Sequence, residues 1–259
     1  PARVRPLEWQ LVSEIKQTQK LLAEVFPRQG KYAVPGYLQW EYEGSPSGKA
    51  IQSNEDDQLG RFGHYGLVPQ RWVVNGERTL YALSLNTAVS ERARGRGVFT
   101  RLAGLTYEAA RRQNVQAVIA VVNRESTHGF TASLGFDLIG QLPVVVHPKA
   151  TGSGWKELEV IPRSEFIELL DEPTWGRIPD SGVWRRWGGG ELAWRLADPA
   201  HQYTVVVDQQ AAAVVHCFRQ FGLRIAAIVK VFVRNGAVLD LGPFARRVAR
   251  LTGSTASLY

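Results

Sequence analysis

The stretch Ser84-Leu85-Asn86-Thr87-Ala88-Val89-Ser90-Glu91-Arg92-Ala93-Arg94-Gly95-Arg96-Gly97-Val98-Phe99-Thr100-Arg101-Leu102-Ala103 decides the fold of this chain. A strand signal ending at Leu85 to Val89 runs through a Gly/Arg loop into a helical pattern over Val98 to Gln113, with Val98, Leu102, Leu105 and Ala109 on one side. At a strand-to-helix junction the first helical N–H groups lack intrahelical acceptors and point outward. Glycines two apart let a diphosphate approach those donors, and the helix dipole with three arginines favours its negative charge. A Walker-type phosphate loop is excluded because no Gly-Lys-Ser/Thr follows. The Rossmann fingerprint fails because Thr100 stands where a third small residue is needed. The competing explanation from the loop alone is an Arg-rich surface turn with two flexible glycines.

On the N-terminal side, the spacing of Leu11, Val12, Ile15, Leu22, Val25 and Phe26 predicts an amphipathic helix over Leu7 to Phe26. Gly44 to Asp57 is polar and Gly/Ser-rich and reads as a loop or loose hairpin, followed by an extended stretch around Leu59 to Val68. Arg71 to Val74 and Thr79 to Leu85 flank Asn75-Gly76, the dipeptide suited to a two-residue hairpin turn. On the C-terminal side come an apolar strand at Ala117 to Val122, a polar turn at Asn123 to Gly129, a short helical piece at Phe130 to Leu134 and a strand at Phe136 to His147 broken by Pro143. Lys149 to Trp155 has linker composition and Pro162 to Leu170 reads as a connecting helix. Tyr203 to Val207, Ala211 to Phe218 and Arg224 to Val233 read as an antiparallel meander, and Phe244 to Leu251 as a last helix.

The chain has 259 residues, enough for one large or two modest domains. Its 44% hydrophobic and 21% charged residues exclude disorder as the main state. Lys+Arg 31 against Asp+Glu 24 gives a formal charge of +7. Most of the basic residues are arginines, which hold phosphate and carboxylate through a planar fork of donors. Cys217 is the single cysteine, so no intramolecular disulfide forms, and the five histidines have no zinc or haem spacing; no metal is expected. Apolar runs such as Ala117 to Val122 and Ile225 to Val233 are too short to span a bilayer, and the N-terminus has no signal-peptide core. A cytoplasmic protein without membrane insertion is expected.

The quoted segment resembles motif A of the GNAT superfamily of acyl-coenzyme A N-acyltransferases, whose pattern is Gln/Arg-x-x-Gly-x-Gly/Ala at this kind of junction. Arg92, Gly95 and Gly97 satisfy the pattern literally; distances to the strand and helix instead align Arg94, Gly97 and Phe99, which puts a phenylalanine where Gly or Ala is usual. The similarity continues through the apolar strand to Asn123, Gly129-Phe130 and Leu134-Gly135-Phe136, spanning about residues 58 to 147. It is similar to the subgroup of two-domain sugar N-acyltransferases. The resemblance implies a mixed, mostly antiparallel α/β sheet flanked by helices, with an acyl-CoA-binding domain over 1–147. A linker and connecting helix over 148–180 would lead to a smaller GNAT-like half-domain over 181–259 covering the acceptor site. It implies cofactor contacts from the backbone of Leu85, Asn86, Thr87, Ala88 and Val89, from the loop and helix start at Arg94, Gly95, Arg96, Gly97, Val98, Phe99 and Thr100, and from Asn123. The co-substrate would be acetyl-CoA or another acyl-CoA. The family's frequent tyrosine acid falls at Thr131, so the acid is not inherited.

Acyl transfer from a thioester needs a neutral amine, donors for the developing oxyanion and a proton for the thiolate. Backbone N–H groups where the central strands diverge, near Leu85 to Thr87, suit the second need. For the base, His64 in Gly63-His64-Tyr65-Gly66 and His128 in the turn after Asn123 are candidates, each weighed against an ordinary hydrogen-bonded histidine. Tyr65 is an alternative acid, with a structural aromatic as its competing role. Glu41 and Glu43, beside the aromatic segment Tyr37 to Tyr42, either wall the acceptor site or are exposed helix charges. Trp184, Arg185, Arg186, Trp187, Trp194 and Arg195 offer flat faces and cations for a nucleotide, or simply pack the second unit.

The leading expectation is an N-acyltransferase acting on the primary amine of a small molecule, preferably a nucleotide-linked amino sugar. Aminoglycoside, polyamine or peptide amines are the runner-up, which an acidic acceptor cleft would favour. An aminoacyl-tRNA-dependent transferase and a non-catalytic CoA-binding module are the other classes. Nucleic acid is disfavoured because the positive excess is not concentrated in one tract.

Overall fold

The computed structural model describes residues 7–153, 157–170, 175 and 181–259, with side chains described from residue 14 onward. In chain order the first elements are α1 (Leu7–Val25), α2 (Tyr37–Glu43), β1 (Ile51–Asp57), β2 (Gly60–Val74), β3 (Glu77–Val89), α3 (Val98–Arg112), β4 (Val115–Ala120) and α4 (Arg124–His128). Then follow β5 (Val146–Pro148), β6 (Glu159–Ile161), α5 (Arg163–Leu170), β7 (Val183–Arg185), α6 (Gly189–Leu196), β8 (Tyr203–Val207), β9 (Ala211–Gln220), β10 (Leu223–Val233), α7 (Leu241–Leu251) and β11 (Ala256–Leu258). They form two compact units, Pro1–Ile139 with Asp180–Arg186, and Gly140–Pro179 with Trp187–Tyr259. The division therefore falls before Gly140 rather than after His147, and β7 returns to the first unit because it pairs with β2. Of the expected linker and connecting segment, residues 154–156, 171–174 and 176–180 lie outside the described residues.

In the first unit the sheet order is β1-β2-β3-β4, with β7 on β2. β1, β2 and β3 are antiparallel and β4 is parallel to β3. Asn75 (φ 48) and Gly76 (φ 86) make the β2–β3 turn in the positive-φ region that asparagine tolerates and glycine, lacking a Cβ, adopts freely. The polar run Gln52 to Asp57, expected as a loop, is strand β1. Ile51 is buried at its start, and its carboxylates meet arginines from neighbouring elements: Asp56 meets Arg61, Asp57 meets Arg92 and Glu55 meets Arg101. Residues 135–145, expected as most of a strand, have no regular structure, and Leu138, Ile139, Leu142 and Val144 are exposed. Gly140 and Pro143 interrupt the run, and Pro143 has no N–H to give a ladder. Only Val146–Pro148 forms a strand, in the second sheet.

Helix α3 covers one face of the first sheet. Its buried residues are Val98, Leu102, Ala103, Thr106 and Ala110, so the packed stripe lies further round than expected and Leu105 is exposed. Gly63 lets it approach β2: a Cβ there would sit 2.7 Å from Val98 Cγ1 and 2.9 Å from Leu102 Cδ1. Leu21 and Leu22 of α1 and Leu38 of α2 are also buried.

The second unit holds a six-stranded sheet of order β5-β11-β10-β9-β8-β6, parallel only between β10 and β11. Both faces are covered, which explains why β9 opens with the unbroken apolar run Ala211 to Val215. Ala211, Ala213 and Val215 pack with Phe244, Ala245 and Val248 of α7. Ala212 and Val214 pack with Phe166 of α5 and Leu192 and Leu196 of α6.

Candidate active site

The β3–β4 ladder runs from Leu80↔Val115 to Ser84↔Ala120. Beyond it, β3 continues from Leu85 to Val89 while pairing with β2 alone, through Leu85↔Gly66, Ala88↔His64 and Val89↔Gly63. Leu85–Val89 thus presents an edge of backbone donors and acceptors where the two parallel strands part. Within it the β2–β3 register shifts between His64 and Gly66, so Tyr65 stands against both Asn86 and Thr87, and Asn86 takes φ 54. Such a bulge bends the strand locally. Thr87 Oγ1 is buried and has no hydrogen-bond partner among the described residues. An orphaned hydroxyl on a free strand edge fits a segment shaped to receive a polar ligand chain.

The loop that follows has Gly95 at φ 74 and Gly97 at φ 68. Gly97 is the N-cap of α3 and no side chain caps the first turn, so its orphan donors remain open. A Cβ at either glycine would meet no heavy atom within 4 Å, so the approach to these backbone groups is clear. The three arginines expected here divide. Arg92 bonds the Asp57 carboxylate, donates to Gly60 O (3.0 Å) and lies over the Phe62 ring (5.3 Å), so it fastens the loop to the β1–β2 hairpin. The same bond from Arg92 holds the Asp57 carboxyl below its usual range. The side chains of Arg94 and Arg96 are exposed and make no ion pair or hydrogen bond among the described residues, leaving two forks for an anion. Val98 is buried, so its backbone alone faces the junction. The Phe99 ring packs on Tyr65 (6.0 Å) and Phe130 (5.6 Å), while its N–H belongs to the open first turn. Thr100 is exposed and donates to Gly97 O (3.2 Å). Asn123 Oδ1 accepts from Ser126 N (2.9 Å) and caps α4.

On the α2 face of the sheet lies a polar network that sequence reasoning missed. Tyr32 Oη donates to Asn86 Oδ1 (2.7 Å), which fixes that amide. Asn86 Nδ2 then donates to Glu41 Oε2 (2.5 Å) and to Tyr42 Oη (3.1 Å). Tyr37 Oη donates to Glu41 Oε1 (2.8 Å). Glu41 is 7% exposed, so the expectation of an exposed helix charge is corrected: Tyr37 and Asn86 bond its two oxygens inside, while Glu43 is half-buried. At the other end Arg61 is buried and bonded to Glu14, Thr18 and Asp56; its Nη1 lies 3.2 Å from the Asn54 amide, whose oxygen is assigned to that side because two donors would repel. That orients Asn54 Nδ2 to donate to His64 Nδ1 (2.6 Å). His64 Nε2 therefore carries the proton and donates to Tyr42 Oη (2.8 Å). With both lone pairs of Tyr42 Oη engaged, its own proton has no acceptor among the described residues. A Cβ on Gly66 would lie 3.3 Å from Tyr42 Oη and 3.4 Å from Leu85 O, which places that hydroxyl beside the start of the free strand segment.

His64 is wholly buried, and desolvation, with the nearby Arg61 charge second, lowers its pKa from 6.5 to about 3. It is brought into the site as a neutral hydrogen-bond relay and does not face solvent. Burial likewise raises the Tyr42 pKa well above 10, with Glu41 adding to it. Tyr65 lies on the opposite face, where Ser84 Oγ donates to it (3.0 Å) and it shares a hydrogen bond with Tyr107 Oη (2.6 Å); burial raises its pKa. His128 is exposed at the end of α4, apart from this network. Thr131 Oγ1 donates to Thr127 O (3.0 Å), so it closes a helical turn. The Trp/Arg cluster divides between units: Trp184, Arg185 and Arg186 belong to the first, Trp187, Trp194 and Arg195 to the second. The burial of Tyr32 and Tyr42 followed from no clear sequence signal, whereas the positive φ tolerated by Asn86 was a readable one.

Parallel strands that part above a glycine-rich turn and an uncapped helix define an acyl-CoA acyltransferase type of fold. Residues 4–139 match the acetyltransferase (GNAT) domain family, and the chain belongs to it. A GCN5-related N-acetyltransferase from Anabaena variabilis ATCC 29413 superposes with a TM-score of 0.64 at 14% identity, over 95% of this chain and 63% of that one. A probable N-acyltransferase from Enterococcus faecalis V583 gives 0.57 at 13% identity, over 95% and 62%. Eis1 from Mycobacterium abscessus gives 0.56 at 12% identity, over 95% and 62%. At these identities the likeness is one of fold, mixed α/β throughout, and the chain spans a little under two thirds of the length of these structures. No curated protein sequence matches it. No helix among the described residues is long and apolar enough to cross a membrane.

Proposed function

We propose that the protein is an acyl-CoA-dependent N-acyltransferase that transfers an acyl group, acetyl by preference, directly to a primary amine. The observation that carries this is the unpaired edge of Leu85–Val89, which opens beside the uncapped α3 start and the unengaged Arg94 and Arg96. The strand edge would pair with the pantetheine amides, and the α3 donors and two arginines would hold the diphosphate. Donors near the bulge would stabilise the developing oxyanion. Tyr42 is the proton donor for the departing thiolate in this scheme, since its proton is unclaimed and its oxygen is held by His64 and Asn86. His64 then positions Tyr42 and is not the base.

A nucleotide-linked amino sugar is the acceptor class suggested by the arginine excess. Cationic acceptors such as aminoglycosides, polyamines or peptide amines form the second reading, favoured by the buried Glu41 carboxylate and by the Lys31 ammonium over the Tyr32 and Tyr37 rings (4.9 and 5.3 Å). Calorimetry with CoA, followed by thiol release from acetyl-CoA against panels of both amine classes, tests the assignment. Binding with turnover is expected, and Tyr42→Phe should lower kcat while leaving CoA affinity within about twofold. No CoA binding would refute the assignment, and binding without turnover on any amine would mark a CoA-binding module instead.

A further inference from the structure

We propose that Lys31 is a self-acylation site, its side-chain amine serving as an intramolecular acceptor for the acyl group of acyl-CoA. This rests on the acyl-CoA binding proposed above. A 3-10 turn, Gly30–Ala33, presents the residue. Its main chain is held on both sides: Lys31 O accepts from Val34 N (3.1 Å), and Tyr32 O accepts from Gln19 Nε2 (2.5 Å). The Lys31 ammonium then lies over two rings that are themselves buried, Tyr32 and Tyr37. The hydroxyl of the first ring donates to Asn86, within the free segment of β3. One tyrosine and one hydrogen bond therefore separate this primary amine from the strand edge where the thioester is placed.

The other described lysines are placed differently. In the same unit Lys16, Lys20 and Lys49 are exposed, whereas Lys31 is half-buried. In the second unit Lys230 also lies over two rings, Trp187 at 5.4 Å and Phe232 at 5.5 Å. Lys230 thus shares the cation–ring environment over rings of the other unit, and serves as an internal control.

In the reaction the Lys31 ammonium gives a proton to solvent and its nitrogen attacks the thioester carbonyl. A C–N bond forms, the C–S bond breaks, and the thiolate leaves as CoA and takes up a proton. The product amide is neutral, so acylation removes a positive charge from the faces of Tyr32 and Tyr37.

The test is to incubate the full chain with acetyl-CoA and no added amine, following each lysine by peptide mass spectrometry, with CoA binding measured in parallel by calorimetry. Lys31 is expected to acquire acetyl at least about tenfold faster than Lys16, Lys20, Lys49 and Lys230, a modest share of what intramolecular placement confers. Excess free CoA should slow Lys31 alone, and Lys31→Arg should abolish the fast phase. A Lys31 rate equal to that of the other lysines, or one insensitive to free CoA, overturns self-acylation while measured CoA binding leaves the acyltransferase assignment standing. Absence of CoA binding overturns both.

Discussion

His64 gives the sharpest quantitative expectation, because the fold keeps it neutral. Its pKa is about 3 in the folded chain against 6.5 unfolded. Between those values the unfolded state binds a proton that the folded state refuses, so stability is full above the unfolded pKa and is lost as pH falls through it. Each pH unit in that window costs about 1.4 kcal/mol. Going from about pH 7 to about pH 5, the loss attributable to this histidine comes to about 2 kcal/mol. His64→Gln keeps one donor and one acceptor for Tyr42 and Asn54 but cannot titrate. Urea unfolding at both pH values should show the native protein losing about 2 kcal/mol more than the variant. The charged groups around the network are the same in both proteins, so their contribution cancels in the double difference. Equal pH slopes, within about 0.5 kcal/mol, would refute the buried neutral imidazole and restore His64 as a candidate base.

Gly63→Ala should push α3 off β2, because the added methyl would lie 2.7 Å from Val98 Cγ1; a loss of about 1–3 kcal/mol and weaker CoA binding are expected, read by thermal unfolding and calorimetry. An unchanged melting temperature would show that the helix yields without cost. Arg96→Ala should weaken CoA binding about tenfold and flatten its salt dependence, whereas Arg92→Ala, which loses a half-exposed ion pair, should change stability by less than about 1 kcal/mol and leave CoA binding nearly intact. The reverse order in titrations at two salt concentrations would move the phosphate site to the Arg92 side of the loop.

What could be read from the chain were features carried by local chemistry. Asn75-Gly76 specified its turn between the strand runs Arg71 to Val74 and Thr79 to Leu85, and Gly95 and Gly97 occupy the left-handed conformations that the loop requires. Other features depend on partners distant in sequence. Strand β1 looked like a loop because its residues are polar, and it is a strand because arginines at 61, 92 and 101 meet its carboxylates. Arg92 matched the phosphate pattern literally; only Asp57, 35 residues earlier, reveals that it is engaged elsewhere. His64 looked like a base by residue type, and burial by α1, α2 and the sheet removes it from that role. Tyr42 and Asn54 carry no motif at all, and their importance comes from directional hydrogen bonds that close only in three dimensions.

Asn86 shows why those bonds matter. Its φ of 54 alone would favour glycine, but glycine could not accept from Tyr32 or donate to Glu41 and Tyr42. Asparagine tolerates that backbone region and supplies both functions. The bulge that shapes the free strand edge is thus locked by the α2 face, where Glu41 and Tyr42 reside. Weakening that network should loosen the strand edge as well as the α2 side. Residues on the two faces are therefore expected to act as one unit, and their substitutions to be non-additive.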